Sequence, residues 1–101
     1  MADLPPIDAG ALEGALERMS SSPSDRDRGR ILRSLVGNFT CTCDEALRLV
    51  RAMHDSPATV AAAVSVHAML RDQERFEAVV LAGLRWEEER QDVRDALAVG
   101  K

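Results

Sequence analysis

The sequence predicts an all-α domain of about six short helices, arranged as three stacked helical hairpins in a short α-solenoid-like bundle. The first observation is the composition: 46% of the 101 residues are apolar, but only 3% are aromatic. The core must therefore consist mostly of Leu, Val, Ala and Met, which favours helices over a β-sandwich. The other two observations are a long apolar stretch near the middle of the chain and a pattern that recurs after 34 residues.

The apolar stretch covers residues 56–70. Ser56 is a typical N-cap residue, and Pro57 fits the first helical turn, where its missing N–H costs nothing. From residue 60 to residue 70 no side chain carries a formal charge. A helix that is apolar on nearly every face is normally buried, and these 11 residues are too few to span a bilayer, which needs about 20. The stretch therefore predicts the central helix of the bundle.

Capping signals divide the chain before this stretch into three helices. Residues 1–8 include Pro5-Pro6 and predict an extended lead-in, after which Asp8 caps a first helix over about 9–19. Ser22 is the expected cap of a second helix, which ends at Gly37-Asn38 because both residues tolerate a left-handed backbone. The run Thr42-Cys43-Asp44-Glu45 has the form of a capping box and predicts the start of the third helix.

The chain after the central helix predicts two more helices. Asp72 is the expected cap of the fifth, whose apolar face includes Phe76 and Val80. Gly83 and the polar run 85–89 predict a turn, and the last helix covers about 88–98, with Val93, Ala96 and Leu97 directed inward. The helical domain is thus expected over residues 9–98, followed by a C-terminal tail over residues 99–101.

The helices also show an internal repeat. Met19, Ser22 and Pro23 are matched at an offset of 34 by Met53, Ser56 and Pro57, and Leu32 and Leu35 are matched by Val66 and Met69. A third, shorter unit runs from residue 76 to residue 97. A period of 30 to 40 residues with helix, tight turn and helix is typical of stacked helical hairpins. The outer units would cover the middle one on both sides, which explains the apolar central helix.

Several short motifs resemble a known family. They are the entry Phe39-Thr40-Cys41 to the capping box, the run Arg71-Asp72-Gln73-Glu74-Arg75-Phe76, and Leu84-Arg85-Trp86 with Glu89-Arg90. In these features, over residues 12–97, the chain resembles the small all-helical domain-of-unknown-function family 4476, although the usual Gln after the entry is Glu45 or Ala46 here. The resemblance implies an all-helical domain and no assigned chemistry. Six helices in this length also describe the death-fold adaptor domains, but the internal repeat argues against that topology.

Charge and cysteine usage limit the function and the compartment. The net charge is −4, from 13 basic and 17 acidic residues, which argues against general nucleic-acid binding because that usually requires a basic surface. Cys41 and Cys43 are too close in sequence to form a stable disulfide with each other, and free thiols are typical of a reducing compartment. With no signal peptide and no membrane segment, we expect a cytoplasmic protein.

Catalytic and metal sites lack a recognisable pattern. Cys41, Cys43, His54 and His67 match none of the regular zinc spacings. Cys43 begins a helix, where a thiolate is favoured, but no motif supplies an oxyanion hole or an orienting acid, and no phosphate-binding loop is present. We therefore expect no enzyme activity, no metal, no cofactor and no small-molecule substrate.

Two surface features are the candidate partner-binding residues. Arg26, Arg30 and Arg33 lie on the second helix, for which a solvated, salt-bridged face is the simpler interpretation. Arg85 and Trp86 lie in a charged turn, and exposed Trp is enriched at binding hot spots. The alternative is a Trp that plugs the end of the last hairpin.

These residues predict a non-enzymatic protein–protein interaction module, an adaptor or scaffold, that binds another protein or forms a homo-oligomer. The alternative hypothesis is a nucleic-acid-associated regulator that uses the Arg-rich second helix. A thiol or metal enzyme that depends on Cys43 is a third.

Overall fold

The fold is all-α, as predicted. The computed structural model describes residues 4–99, so that Met1–Asp3 of the predicted lead-in and Gly100–Lys101 of the predicted tail lie outside the described residues. The α-helices are α1 (Ala9–Ser21), α2 (Asp25–Val36), α3 (Cys43–Val50), α4 (Ser56–His67) and α5 (Glu87–Val99). A 3₁₀ turn, Gln73–Arg75, and a π turn, Glu77–Leu81, lie between α4 and α5; we call them the 3₁₀/π segment. No helix within residues 4–99 has both the length and the apolar character needed to cross a membrane.

The helices form three hairpins that stack side by side in two layers. The first members of the hairpins lie in one layer, where α3 packs against α1 and the π turn. The second members lie in the other layer, where α4 packs against α2 and α5. In the third hairpin, Arg94 Nη2 of α5 lies 3.0 Å from Glu77 Oε1 of the π turn. The predicted arrangement of three stacked hairpins is therefore confirmed.

Helix α4 lies at the centre of this stack. It contacts α2, α3 and α5, and Ala62, Ala63 and Val66 are buried on it. Its position explains its composition, because three neighbouring helices cover most of its surface. Ala61 is exposed, and so is Ala96 of α5, which was expected inward. At both positions the small side chain is tolerated on either face of a helix.

The segments that precede each hairpin run beside one another, a feature that helical periodicity does not predict. Thr40 O accepts a hydrogen bond from Ile7 N at 2.8 Å, and Thr40 N donates to Pro5 O at 2.8 Å. Cys41 then continues the pairing, with its N–H donated to Met69 O and its carbonyl accepting from Arg71 N, both at 2.9 Å. These two isolated parallel bridges fix the hairpins at one end of the stack.

Two predicted helix starts are confirmed. Asp8 Oδ1 accepts a hydrogen bond from Ala11 N at 2.7 Å. At the start of α3 the capping box is complete, since Thr42 Oγ1 accepts from Glu45 N and Glu45 Oε1 accepts from Thr42 N.

Three predicted caps are wrong. The cap of α2 is Ser24 rather than Ser22, because the Ser22 hydroxyl and N–H both bond back to carbonyls of α1. The cap of α4 is Asp55, which accepts from Ala58 N at 2.9 Å, so that Ser56 is the first helical residue. Asp72 makes no capping bond to its own segment; its Oδ1 accepts instead from Cys43 N at 2.9 Å. The linker pairing places this carboxylate over the N-terminus of α3.

Candidate functional site

The exposed face of α2 carries three of the predicted binding residues, Arg26, Arg30 and Arg33. Their spacing of four and three residues places them on one face of the helix, opposite the buried Arg28, Leu32 and Leu35. Within residues 4–99 none of the three exposed arginines forms an ion pair. The three arginines are thus solvated, and the ion pair of the basic helix is the one between Arg28 and Asp25 on its buried side.

The fourth arginine of α2 belongs to the interior. Arg28 is only 4% exposed; its Nε lies 2.7 Å from Asp25 Oδ1, and its Nη1 donates to Ser22 O at 2.8 Å. The same carboxylate accepts from His54 N at 3.0 Å and from Asp55 N at 2.9 Å. Burial alone would raise the pKa of Asp25, but these two N–H groups and the guanidinium outweigh it and hold the pKa well below its ordinary value. Asp25 thus joins the first hairpin to the turn of the second.

Trp86 lies on the surface of the turn between the 3₁₀/π segment and α5. Its side chain is 59% exposed, so the interpretation that it plugs the end of the last hairpin is wrong. Leu84, two residues earlier, is 4% exposed and fills that interior position. Trp86 and Leu4 are the exposed large hydrophobic residues of the described chain.

Two residues of α5 fix the backbone below Trp86. Glu89 Oε1 accepts from Trp86 N at 3.4 Å, and its Oε2 accepts from Ser56 Oγ of the second hairpin at 2.7 Å. Arg90 donates to Leu81 O at 3.0 Å and to Leu84 O at 2.9 Å. Glu89 is 5% exposed, so the backbone of the exposed Trp86 is held from below by a part-buried hydrogen-bond network.

A basic cavity lies beside this turn, and we call it the turn-end cleft. It has a volume of about 450 Å³ and is lined by Leu16, Ser20, Arg51, Ala52, Met53, His54 and Arg85. A narrower cavity of about 30 Å³ shares Arg51, Met53, His54 and Arg85 with it and is also lined by Trp86 and by the carboxylate of Glu89. All three hairpins therefore contribute to one surface, the end of the stack where the hairpin turns lie.

The structure brings only some of the predicted residues together. Arg85 and Trp86 share a cavity, whereas Arg33 lines a separate groove of about 90 Å³ between α2 and α4. Arg51 and His54 were not among the predicted partner-binding residues, because no local pattern in the sequence shows that the turn of the second hairpin lies against the turn of the third. The role of Glu89 could have been predicted from the sequence, since a Glu three residues after the N-cap of a helix is a capping signature.

A wider groove, of about 990 Å³, lies on the first hairpin between α1 and α2. Gly10, Gly14, Ile31 and Phe39 contribute to it. It contains none of the predicted binding residues.

The two thiols are buried and unpaired. Burial raises the pKa of Cys41 to about 12. Burial, and then the contact with Asp72, raises the pKa of Cys43 to about 11, which disfavours the thiolate that a nucleophile requires. Within residues 4–99 no three His, Cys, Asp or Glu side chains are placed to share a metal ion.

Comparison with known proteins gives one match. The model of a family described as a domain of unknown function (DUF4476) matches residues 7–97, which confirms the resemblance found in the motifs. No curated protein and no solved structure matches the chain.

Proposed function

We propose that this chain, which belongs to the DUF4476 family, is a non-enzymatic protein–protein interaction module, an adaptor or scaffold. The observation that carries the proposal is the exposure of Trp86, which is 59%. A large aromatic side chain on a charged surface is costly to leave in water and is enriched at binding hot spots.

The network below Trp86 supports this role. Glu89 and Arg90 hold the turn through four hydrogen bonds to backbone and Ser56 atoms. A rigid support reduces the entropy lost on binding, so that more of the contact energy remains as affinity. Arg85 supplies a cationic group beside the indole for the polar rim of an interface. Arg26, Arg30 and Arg33 supply a second cationic surface on α2. The same surface would serve in a homo-oligomer.

The proposal treats the three hairpins as copies of one helical repeat. At an offset of 34, buried Met19 corresponds to buried Met53, and buried Leu32 to buried Val66. Ser22 and Ser56 do not correspond, since the first ends α1 and the second begins α4. Stacked hairpins offer extended, rigid surfaces, and these are the surfaces that many binding proteins use. The proposed location is the cytoplasm, because two unpaired thiols suit a reducing compartment.

Affinity capture from the native cell extract tests the proposal. The parent chain, Trp86→Ala and Arg30→Glu are immobilised in parallel, with Leu4→Ala and Arg18→Glu as matched controls. We expect a specific protein that the parent and both controls retain and that the two test variants lose, with all chains folded by circular dichroism. If all five chains retain the same proteins, Trp86 and Arg30 do not belong to the binding surface. Analytical ultracentrifugation of the parent and Trp86→Ala separates self-association from binding another protein.

The exposed arginines of α2 favour a second candidate, a nucleic-acid-associated regulator. Three such residues on one helix face can neutralise up to about three phosphates. The logarithm of the association constant should therefore fall with the logarithm of the salt concentration, with a slope no steeper than about −3. Titration of single- and double-stranded oligonucleotides at several salt concentrations measures that slope. The absence of binding at low salt would exclude this candidate.

A further inference from the structure

The turn-end cleft is basic although the chain is acidic overall. Its ionisable lining groups are Arg51, His54 and Arg85, and no carboxylate lines it. Arg51 and Arg85 form no ion pair within residues 4–99, and all three side chains are exposed. Two unpaired guanidinium groups around one cavity repel each other, and an anion placed between them relieves that repulsion.

Several carboxylates of the adjoining turns already have partners of their own. Asp25 holds Arg28 and the backbone of the second turn, and Glu89 holds Ser56. Asp55 caps α4, and Glu87 pairs with Arg90 and Arg94 of its own helix. Glu88, on the first turn of α5, is exposed but does not line the cleft. None of these carboxylates pairs with Arg51 or Arg85, so both guanidinium groups of the cleft remain open to an external anion.

We infer that the turn-end cleft binds a carboxylate side chain from an acidic segment of a partner protein, while Trp86 covers an apolar side chain next to that carboxylate. The inference rests on the proposed function and adds the chemistry of the partner. The charges favour an anion, because Arg51 and Arg85 can each donate paired N–H groups to a carboxylate. The adjacent indole, which shares a cavity with both arginines, favours a protein segment that combines an acidic and an apolar residue.

Selection from a phage-displayed random 12-residue peptide library tests the inference on the purified parent chain. We expect the enriched peptides to contain Asp or Glu next to a Leu, Ile, Phe or Met. A synthetic copy of the strongest binder is then titrated, and its binding is followed through the fluorescence of Trp86, the single Trp of the chain. Replacing its acidic residues with Gln or Asn should weaken binding about tenfold or more.

The variants locate the site. Arg51→Gln and Arg85→Gln should each weaken the acidic peptide about tenfold, and Trp86→Leu should weaken it as well when binding is measured by calorimetry. Arg18→Gln is the matched control, since Arg18 is an exposed arginine on α1 that does not line the cleft; it should change the affinity less than about twofold. Raising the salt concentration should weaken the parent more than the Arg51→Gln variant.

Each other outcome overturns the inference in a distinct way. Enrichment of neutral or basic peptides, or no enrichment at all, would exclude an acidic segment as the ligand. If Arg30→Gln weakens the binding of acidic peptides and Arg51→Gln does not, the proposed function would stand, but its site would lie on α2. An oligonucleotide that competes for the cleft and loses affinity on Arg51→Gln would assign the cleft to nucleic acid.

Discussion

Loss of the Asp25 side chain should strongly destabilise the fold, because this one carboxylate holds three groups. It is 12% exposed and contacts Arg28 at 2.7 Å, His54 N at 3.0 Å and Asp55 N at 2.9 Å. In Asp25→Ala the Arg28 guanidinium, whose side chain is 5% exposed, keeps no carboxylate partner. The two N–H groups of the second turn lose their acceptor at the same time.

The magnitude follows from the burial of the pair. Removing one partner of a buried ion pair costs about 3–5 kcal/mol, since the remaining charge is left without compensation. A domain of this size has a free energy of unfolding of about 5–15 kcal/mol. At about 4–8 °C per kcal/mol, the melting temperature of Asp25→Ala should fall by at least about 12 °C.

Urea unfolding at pH 7, followed by circular dichroism, measures this effect. Asp92→Ala is the control, because Asp92 is an exposed acid on α5, and its free energy of unfolding should change by less than about 0.5 kcal/mol. A loss of less than about 1 kcal/mol for Asp25→Ala would refute the reasoning, since that is the value of an exposed salt bridge.

The pH dependence gives an independent test of the same residue. The pKa of Asp25 is lowered in the folded state, so its contribution is fully present above the unfolded pKa of about 3.9 and is lost as the pH falls toward the folded value. The parent should therefore lose stability more steeply than Asp25→Asn from about pH 5 downward. Parallel stability curves for the two proteins would show that the carboxylate is not held as described.

The remaining predictions concern close packing and the thiols. A Cβ at Gly83 would lie 2.6 Å from the Leu47 methyl groups, whereas a Cβ at Gly14 meets nothing within 4 Å. In urea unfolding, Gly83→Ala should lower the free energy of unfolding by about 1 kcal/mol, whereas Gly14→Ala should raise it by up to about 1 kcal/mol. If Leu47 is first replaced by Ala, the cost of Gly83→Ala should disappear. Equal effects at the two glycines would contradict the contact with Leu47. Cys41 and Cys43, buried and with raised pKa values, should react with a thiol reagent at pH 8 only as the chain unfolds; rapid labelling of the native protein would disprove their burial.

The sequence predicted the features that depend on local periodicity. The helix that Asp8 caps, the capping box at Thr42 and the buried central helix are all set by residues within one or two turns of each other. The stacking of the hairpins also followed from the spacing of buried residues such as Met19 and Met53.

The errors in the caps arose where another group takes the polar side chain, either from a distant segment or from the preceding helix. Asp72 has the residue type and position of a cap, but Cys43 N, 29 residues away in the chain, takes its carboxylate. Ser22 bonds back into α1 because its hydroxyl reaches Arg18 O at 2.8 Å, and Ser24 then caps α2. The contact of Asp72 depends on the positions of the linkers, which the two backbone bridges fix.

Side-chain exposure in turns was equally difficult to predict. Leu84 and Trp86 are two residues apart in one turn, and either could fill the end of the third hairpin. The structure buries the smaller side chain and leaves the indole 59% exposed, because Arg90 donates to the carbonyls of Leu81 and Leu84 and so fixes the path of the chain. Arg51 and His54 join Trp86 only through the contact between hairpins, so no local pattern indicates the cleft.

The net charge of −4 argued against general nucleic-acid binding, but the structure shows why composition is a poor guide to the charge of one surface. Asp25 and Glu89 are both directed toward the neighbouring hairpin, where they hold the second turn and Ser56. Both acids add to the count of negative charges, but Asp25 is paired with the Arg28 guanidinium and Glu89 is only 5% exposed, so both carboxylates are largely withdrawn from the surface. The arginines at the same end, Arg51 and Arg85, have no such internal use within residues 4–99. The contacts that hold the hairpins together therefore withdraw Asp25 and Glu89 from the surface and leave Arg51 and Arg85 exposed, so the joining of the stack contributes directly to the basic lining of the turn-end cleft.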